Sequence, residues 1–182
     1  MSLRVPDKAS GRYDVLDTLR DGRGWSCAEL REDTGRTFSS IDCLGTRLLR
    51  DQLITWTLDP SKPRRHSFMR ITDKGMRWLW WVDHGLPGQV DDLLTMFLEL
   101  VADGPVVTNE VKSYRRGRVR NAAQSLIKRG YLDIEHQRTG IGGSGPSRLT
   151  ITDKGRDLLR SMRGLPCFET STKTYCRAGS TP

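Results

Sequence analysis

Long apolar runs are missing from this 182-residue chain: the longest strongly apolar stretch is Trp78-Leu-Trp-Trp-Val82. A membrane-crossing helix needs about 20 apolar residues, so none is expected. The first residues, Met1-Ser-Leu-Arg-Val-Pro-Asp-Lys8, lack the apolar core of a secretory signal, and a cytoplasmic, nucleoid-associated location is the expectation. Cysteine is scarce as well. Four thiols (Cys27, Cys43, Cys167 and Cys176) with no Cys-x2-Cys pair, beside three scattered histidines (His66, His84 and His136), argue against both a disulfide framework and structural zinc.

Catalytic signatures are equally sparse. There is no Gly-Lys-Ser/Thr phosphate loop, no dinucleotide fingerprint, and no basis for a Ser-His-Asp assignment. Asp103 with Glu110-Val-Lys112 matches a loose pattern resembling a metal-dependent nuclease motif. That chemistry needs its carboxylates on adjacent strands, whereas Asp103 reads as a helix stop and Glu110 as part of a capped helix. Neither Tyr114 nor Tyr175 has the His and Arg company of a nucleophile. A non-enzymatic protein working without metal or cofactor is expected.

What is present is positive charge and repetition. Thirty Lys and Arg against twenty-two Asp and Glu give +8. The part up to residue 90 holds 15 basic and 12 acidic residues, the rest 15 and 10. An excess of this kind points towards polyanions, and the placement of the charge decides how strongly.

Ile71-Thr-Asp-Lys-Gly75 recurs as Ile151-Thr-Asp-Lys-Gly155. Upstream, Leu48-Leu-Arg-Asp-Gln-Leu-Ile54 aligns with Leu126-Ile-Lys-Arg-Gly-Tyr-Leu132, and Asp21-Gly22 before Ser26 aligns with Asp103-Gly104 before Thr108. Blocks matched in the same order, with offsets drifting only across loops, imply two copies of one module, over 12–83 and 91–163. A linker is expected over 84–90 and a flexible tail over 164–182.

Each copy reads as helix, helix, helix, strand, strand, helix, an α+β fold that is mainly α. Val15, Leu16 and Leu19 give the first helix its buried stripe, as do Leu93, Leu94, Phe97, Leu98 and Val101 in the second copy. Ser26-Cys-Ala-Glu29 is a capping-box pattern for a second helix, and Thr108 offers the corresponding cap. Ile41, Leu44, Gly45, Leu48 and Leu49 then repeat at i, i+3, i+4, i+7 and i+8, as do Val119, Ala122, Ala123, Leu126 and Ile127, so each set predicts one packed face of a third helix. Strands are expected over 53–57 and 67–71 around a turn at 59–66, and over 131–135 and 147–151 around a glycine-rich turn at 140–146. Thr72 and Thr152 are placed to cap the closing helices.

This order, carried by residues 40–54 and 118–132 and by Arg70-Ile-Thr-Asp-Lys-Gly75 and Leu149-Thr-Ile-Thr-Asp-Lys-Gly155, resembles the winged helix-turn-helix of the MarR and PadR regulators. The two modules would cover about 80% of the chain. The longer dimerisation helices usual in those families are absent or reduced. The resemblance implies that the third helix of each module enters the major groove of DNA, with the hairpin touching the backbone or the minor groove.

The residues left outside the buried faces agree with that chemistry. In the second copy they are Arg118, Arg120, Asn121, Gln124, Ser125 and Lys128, preceded by Arg115 and Arg116. Arg suits guanine, Asn and Gln suit adenine, and Lys suits phosphate. The first copy offers Ser40, Asp42, Cys43, Thr46, Arg47 and Arg50. Asp42 would repel phosphate unless it accepts from a cytosine amine, so base contact and protein contact both stay open there. Lys62, Arg64, Arg65 and His66 form a cationic hairpin tip; His136, Gln137, Arg138 and Arg148 flank the second hairpin. Trp80 points away from the face shared by Trp78, Trp81 and Val82, which marks it for contact with the other module, a second copy or another protein. The expected function is sequence-specific double-stranded DNA binding by a transcriptional regulator. A plasmid- or phage-type replication initiator and a protein-interaction scaffold are the alternatives.

Overall fold

A computed structural model describes residues 10–58, 67–88, 91–114, 117–139 and 143–169. The fold is α+β and mainly helical, with small antiparallel sheets. The chain divides into two compact units, with the division between Gln89 and Val90.

In the first unit, α1 (Gly11–Thr18) starts where the Ser10 side chain accepts from the Tyr13 N–H, and a 3-10 turn continues it to Asp21. Gly22, at φ 75°, ends it in the left-handed region that glycine adopts without a Cβ penalty. The two-residue strand β1 (Trp25–Ser26) leads into α2 (Cys27–Thr34). The capping box there is complete: the Ser26 N–H donates to Glu29 Oε2 at 2.7 Å, and the Glu29 N–H donates back to Ser26 Oγ at 3.3 Å.

Thr37 caps α3 (Phe38–Arg50), which buries Ile41, Gly45 and Leu48. Gly45 lets the helix settle on the sheet, since a Cβ there would lie 2.6 Å from Met69 Cε. Strands β2 (Ile54–Leu58) and β3 (Ser67–Ile71) pair antiparallel, Ile54 opposite Ile71, and β1 adds to the far side of β3 through Trp25 opposite Met69. The closing helix α4 is Asp73–Asp83. Val15, Leu16, Leu19, Leu30, Ile41, Leu48, Met69, Trp78, Leu79 and Val82 make the core.

Two differences from the sequence reading concern this unit. Leu49 belongs to the apolar repeat of α3 yet is 42% exposed, because the face that packs is centred on Ile41, Gly45 and Leu48 and turns Leu49 past its edge. The expected linker is no free tether in its first half. The Leu86 N–H donates to the Trp81 carbonyl at 2.7 Å, and Gly88 lies so close to Trp78 that a Cβ would fall 2.7 Å from the indole. The expected turn at 59–66 lies outside the described residues.

The second unit holds α5 (Asp91–Ala102), β4 (Val106–Val107), α6 (Gly117–Lys128), β5 (Leu132–Thr139), β6 (Gly143–Ile151), α7 (Asp153–Arg163) and the short α8 (Pro166–Glu169). Its sheet runs β4-β6-β5, matching β1-β3-β2 strand for strand. Buried apolar residues on α5 are Leu94, Phe97, Leu98 and Val101, and on α6 Ala122, Ala123 and Leu126.

Here the structure corrects three expectations. No second helix follows Thr108: residues 108–114 are turns. The Thr108 hydroxyl, read as a cap, accepts instead from the Ser147 N–H at 3.1 Å, and the Thr108 N–H donates to the Ser147 carbonyl at 2.8 Å. The position that would close a capping box is Val111 rather than a Glu, and Ser113 sits at φ 64°, where no helix can continue. Glu110 is therefore in a turn, not in a capped helix. The hairpin is also longer than expected, since part of the glycine-rich stretch pairs: Ser144 lies opposite Arg138 and Gly143 opposite Thr139. A bulge between His136 and Arg138 sets two residues of β6, one of them Pro146, against one of β5, a place where a proline's missing N–H does no harm. Lastly, the tail begins as structure, with α8 formed and Phe168 buried.

The repeated Thr-Asp-Lys-Gly is a clasp between the end of one helix and the start of another. Thr72 accepts from the Gly75 N–H and donates to the Gln52 carbonyl at 2.8 Å; Thr152 accepts from the Gly155 N–H and donates to the Gly130 carbonyl at 2.7 Å. Lys74 Nζ donates to the Asp51 carbonyl at 3.0 Å, and Lys154 Nζ to the Arg129 carbonyl at 2.8 Å, each supplying a donor to a carbonyl freed at the end of a helix. Glycine closes the motif because a Cβ at position 75 or 155 would meet the Leu53 or Tyr131 carbonyl oxygen at 2.2 or 2.1 Å.

Candidate nucleic-acid interface

α3 and α6 occupy corresponding places, each followed by a hairpin and clasped at its end. In both, the chain leaves the helix by the same turn: the Leu53 N–H reaches the Leu48 carbonyl, and the Tyr131 N–H reaches the Leu126 carbonyl, both at 2.9 Å. The turn needs a left-handed residue, Gln52 at φ 61° in one unit and Gly130 at φ 73° in the other.

On α6 the expected contact residues lie together on the outer side. Arg118, Arg120, Gln124 and Lys128 are exposed and Asn121 is half-buried, while Ala122, Ala123 and Leu126 face inward. Ser125 turns its hydroxyl back to the Asn121 carbonyl at 2.8 Å, which commits its donor within the helix. Arg120 and Lys128 have no carboxylate partner among the described residues. Burial pushes the Tyr114 hydroxyl up, with the charge of Arg120 pulling the other way, and the Tyr114 ring packs edge-on to Phe97 at 6.3 Å. Arg115 and Arg116 lie outside the described residues.

The α3 surface is different. Thr46 and Arg47 are exposed and Ser40 half-buried, but the Thr46 hydroxyl donates to the Asp42 carbonyl at 2.9 Å, and Arg50 lies 3.4 Å from Asp51. Asp42 and Cys43 are exposed beside them. Arginine elsewhere in this unit is largely engaged: Arg12 with Asp51 at 2.6 Å, Arg20 with Asp17 and Asp83, Arg36 with Asp14, and Arg23 stacked 3.6 Å over the Trp25 ring.

The sequence around the two helices carries unequal charge. Residues 27–50 hold four basic and four acidic side chains, whereas 108–129 hold seven basic and one acidic. Lys112 and Arg129, both exposed and both missed as site candidates, belong to that excess. A charge count over equivalent segments, in place of one over halves of the chain, finds them.

Of the hairpin residues, Lys62, Arg64, Arg65 and His66 lie outside the described residues. Arg138 is on β5, opposite Ser144. Arg148 is exposed and opposite Glu135, and His136 Nδ1 is 2.8 Å from the Ser147 hydroxyl. Trp80 is half-buried and rests on its own helix, its ring 4.1 Å from the His84 imidazole and 4.7 Å from the Trp81 indole. No helix among the described residues is long and apolar enough to cross a membrane, and none of their His, Cys, Asp and Glu side chains form a group of three or more able to hold a metal ion. No protein-family model matches the chain, and no curated protein matches it significantly.

Proposed function

We propose that this protein binds double-stranded DNA with sequence preference, as a transcriptional regulator whose two units each act as a winged helix. One observation carries the reading. α6, the counterpart of α3, turns Arg118, Arg120, Gln124 and Lys128 outward on a helix that carries no acid, which supports its use as the helix that enters a major groove. Affinity would come from counterion release as lysines and arginines meet phosphates, and sequence choice from hydrogen bonds to base edges. Arg115 and Arg116 add to the same basic stretch. Ser40, Thr46 and Arg47, with Lys62, Arg64, Arg65 and His66, supply the second contact, and Arg138 adds to the contact made by the second unit.

The test is duplex binding across a salt series with wild type and the Arg118→Ala, Arg120→Ala double variant. At about 1–3 kcal/mol per specific contact, the pair should weaken binding by roughly 2–6 kcal/mol. Equal affinity of the two proteins at every salt concentration removes α6 from the interface.

A second reading has its own observation. The helix pair of the first unit is electrically balanced and leaves Phe38 51% and Leu49 42% exposed, a surface better matched to a protein than to phosphate. In that case the first unit's contact would show little salt dependence.

A further inference from the structure

Gly117 opens α6 where no close approach among the described residues requires a glycine. Among the described residues a Cβ built there meets nothing within 4 Å, and its φ lies outside the left-handed region, whereas a Cβ at Gly75 or Gly155 would strike a carbonyl oxygen. A side chain is thus missing where those residues would tolerate one. At about 100° per residue, Gly117, Asn121, Gln124 and Lys128 form one strip along the outermost side of the helix, with Arg118 and Arg120 roughly 70–90° to either side. The corresponding outermost strip of α3 is Ser39, Cys43, Thr46 and Arg50, flanked by Asp42, and the neighbouring helix α2 carries the exposed acids Glu29, Glu32 and Asp33.

Resting on the duplex-binding reading above, we propose that base selection belongs to the second unit alone, made by the Gly117-Asn121-Gln124-Lys128 strip reading neighbouring A·T pairs. Gly117 is the approach device: with no side chain it lets the start of α6 sink to the floor of the groove. Asn121 and Gln124 then reach base edges, where a carboxamide pairs with both N6 and N7 of adenine. Three residues apart, they rise about 4.5 Å along the helix, near the ~3.4 Å step between base pairs. Arg118 and Arg120 straddle the strip and add affinity from either side of it. The first unit adds affinity through Thr46 and Arg47, and no base choice.

The experiment selects bound duplexes from a random pool with the full-length protein. It then compares wild type with Gly117→Ala, Asn121→Ala, Gln124→Ala and the Thr46→Ala, Arg47→Ala pair, on the selected duplex and on copies with single A·T to G·C changes. Gly117→Ala should melt at the same or a higher temperature and bind at least tenfold more weakly. Asn121→Ala and Gln124→Ala should each lose discrimination at one A·T pair by about tenfold, the scale of one bidentate base contact, with the salt slope kept. The α3 pair should bind more weakly with its preference intact. Lower stability of Gly117→Ala, binding equal to wild type, an unchanged preference profile in Asn121→Ala and Gln124→Ala, or a preference lost through the α3 pair would each overturn the proposal while leaving duplex binding in place. Wild type that retains no duplex at low salt removes the duplex reading itself.

Discussion

At the scale of single residues, glycines divide into those the fold needs and those it does not. Gly155→Ala forces a methyl group to within 2.1 Å of the Tyr131 carbonyl oxygen, a backbone atom that can yield only if the clasp opens. Overpacking of this kind costs about 1–3 kcal/mol, and the cost should stand at the upper end here. A urea titration of the second unit's helical signal would show the midpoint fall, and an unchanged midpoint would refute the clasp. The five-residue identity around positions 75 and 155 was legible as a repeat, but its cause was not. Nothing in the spacing shows that the Lys74 and Lys154 ammonium groups end on helix-terminal carbonyls. Leu49 is the reverse case, since its spacing satisfies the apolar repeat yet the packed face of α3, centred on Ile41, Gly45 and Leu48, leaves it outside.

Between elements, the tie from α1 to α4 has a pH signature. Tyr13 donates to Asp83 Oδ1 at 2.7 Å, and Arg20 reaches the other oxygen at 2.8 Å. Burial, then the bond to Asp83 and its charge, push the Tyr13 hydroxyl from 10.0 up to about 12. The neutral phenol is the form the fold favours, so this contribution is whole below pH 10 and is lost as the pH rises through 12. All five tryptophans lie in the first unit, so their fluorescence reports on that unit alone. Denaturation followed by tryptophan emission should show wild type losing stability between pH 10 and 12 more steeply than Tyr13→Phe; parallel profiles would count against the tie. Helix caps at Ser26, Thr72 and Thr152 could be read directly, because a cap is local chemistry over four residues. The missing second helix of the later copy could not, because Thr108 had two uses for its hydroxyl. The partner that took it, Ser147, lies 39 residues away.

For the molecule as a whole, both three-stranded sheets close within one unit, so each unit has the hydrogen bonds its strands require. Expressed separately, residues 1–89 should unfold cooperatively by tryptophan fluorescence, and residues 90–182 should keep most of the duplex affinity and its salt dependence. A fragment 90–182 that is folded but inert towards duplex would place the interface elsewhere. By itself the sequence determined the repeated blocks, the caps at Ser26, Thr72 and Thr152, and the three helices and hairpin of the first unit, all of which depend on periodicity and on contacts a few residues apart. Tertiary structure alone decided how far the second hairpin extends, that the chain after Arg163 goes on as a helix, and that two like helices present unlike surfaces. Those outcomes depend on which distant groups meet, and a hydroxyl, a carbonyl or a patch of apolar surface takes whichever partner the packed chain brings to it.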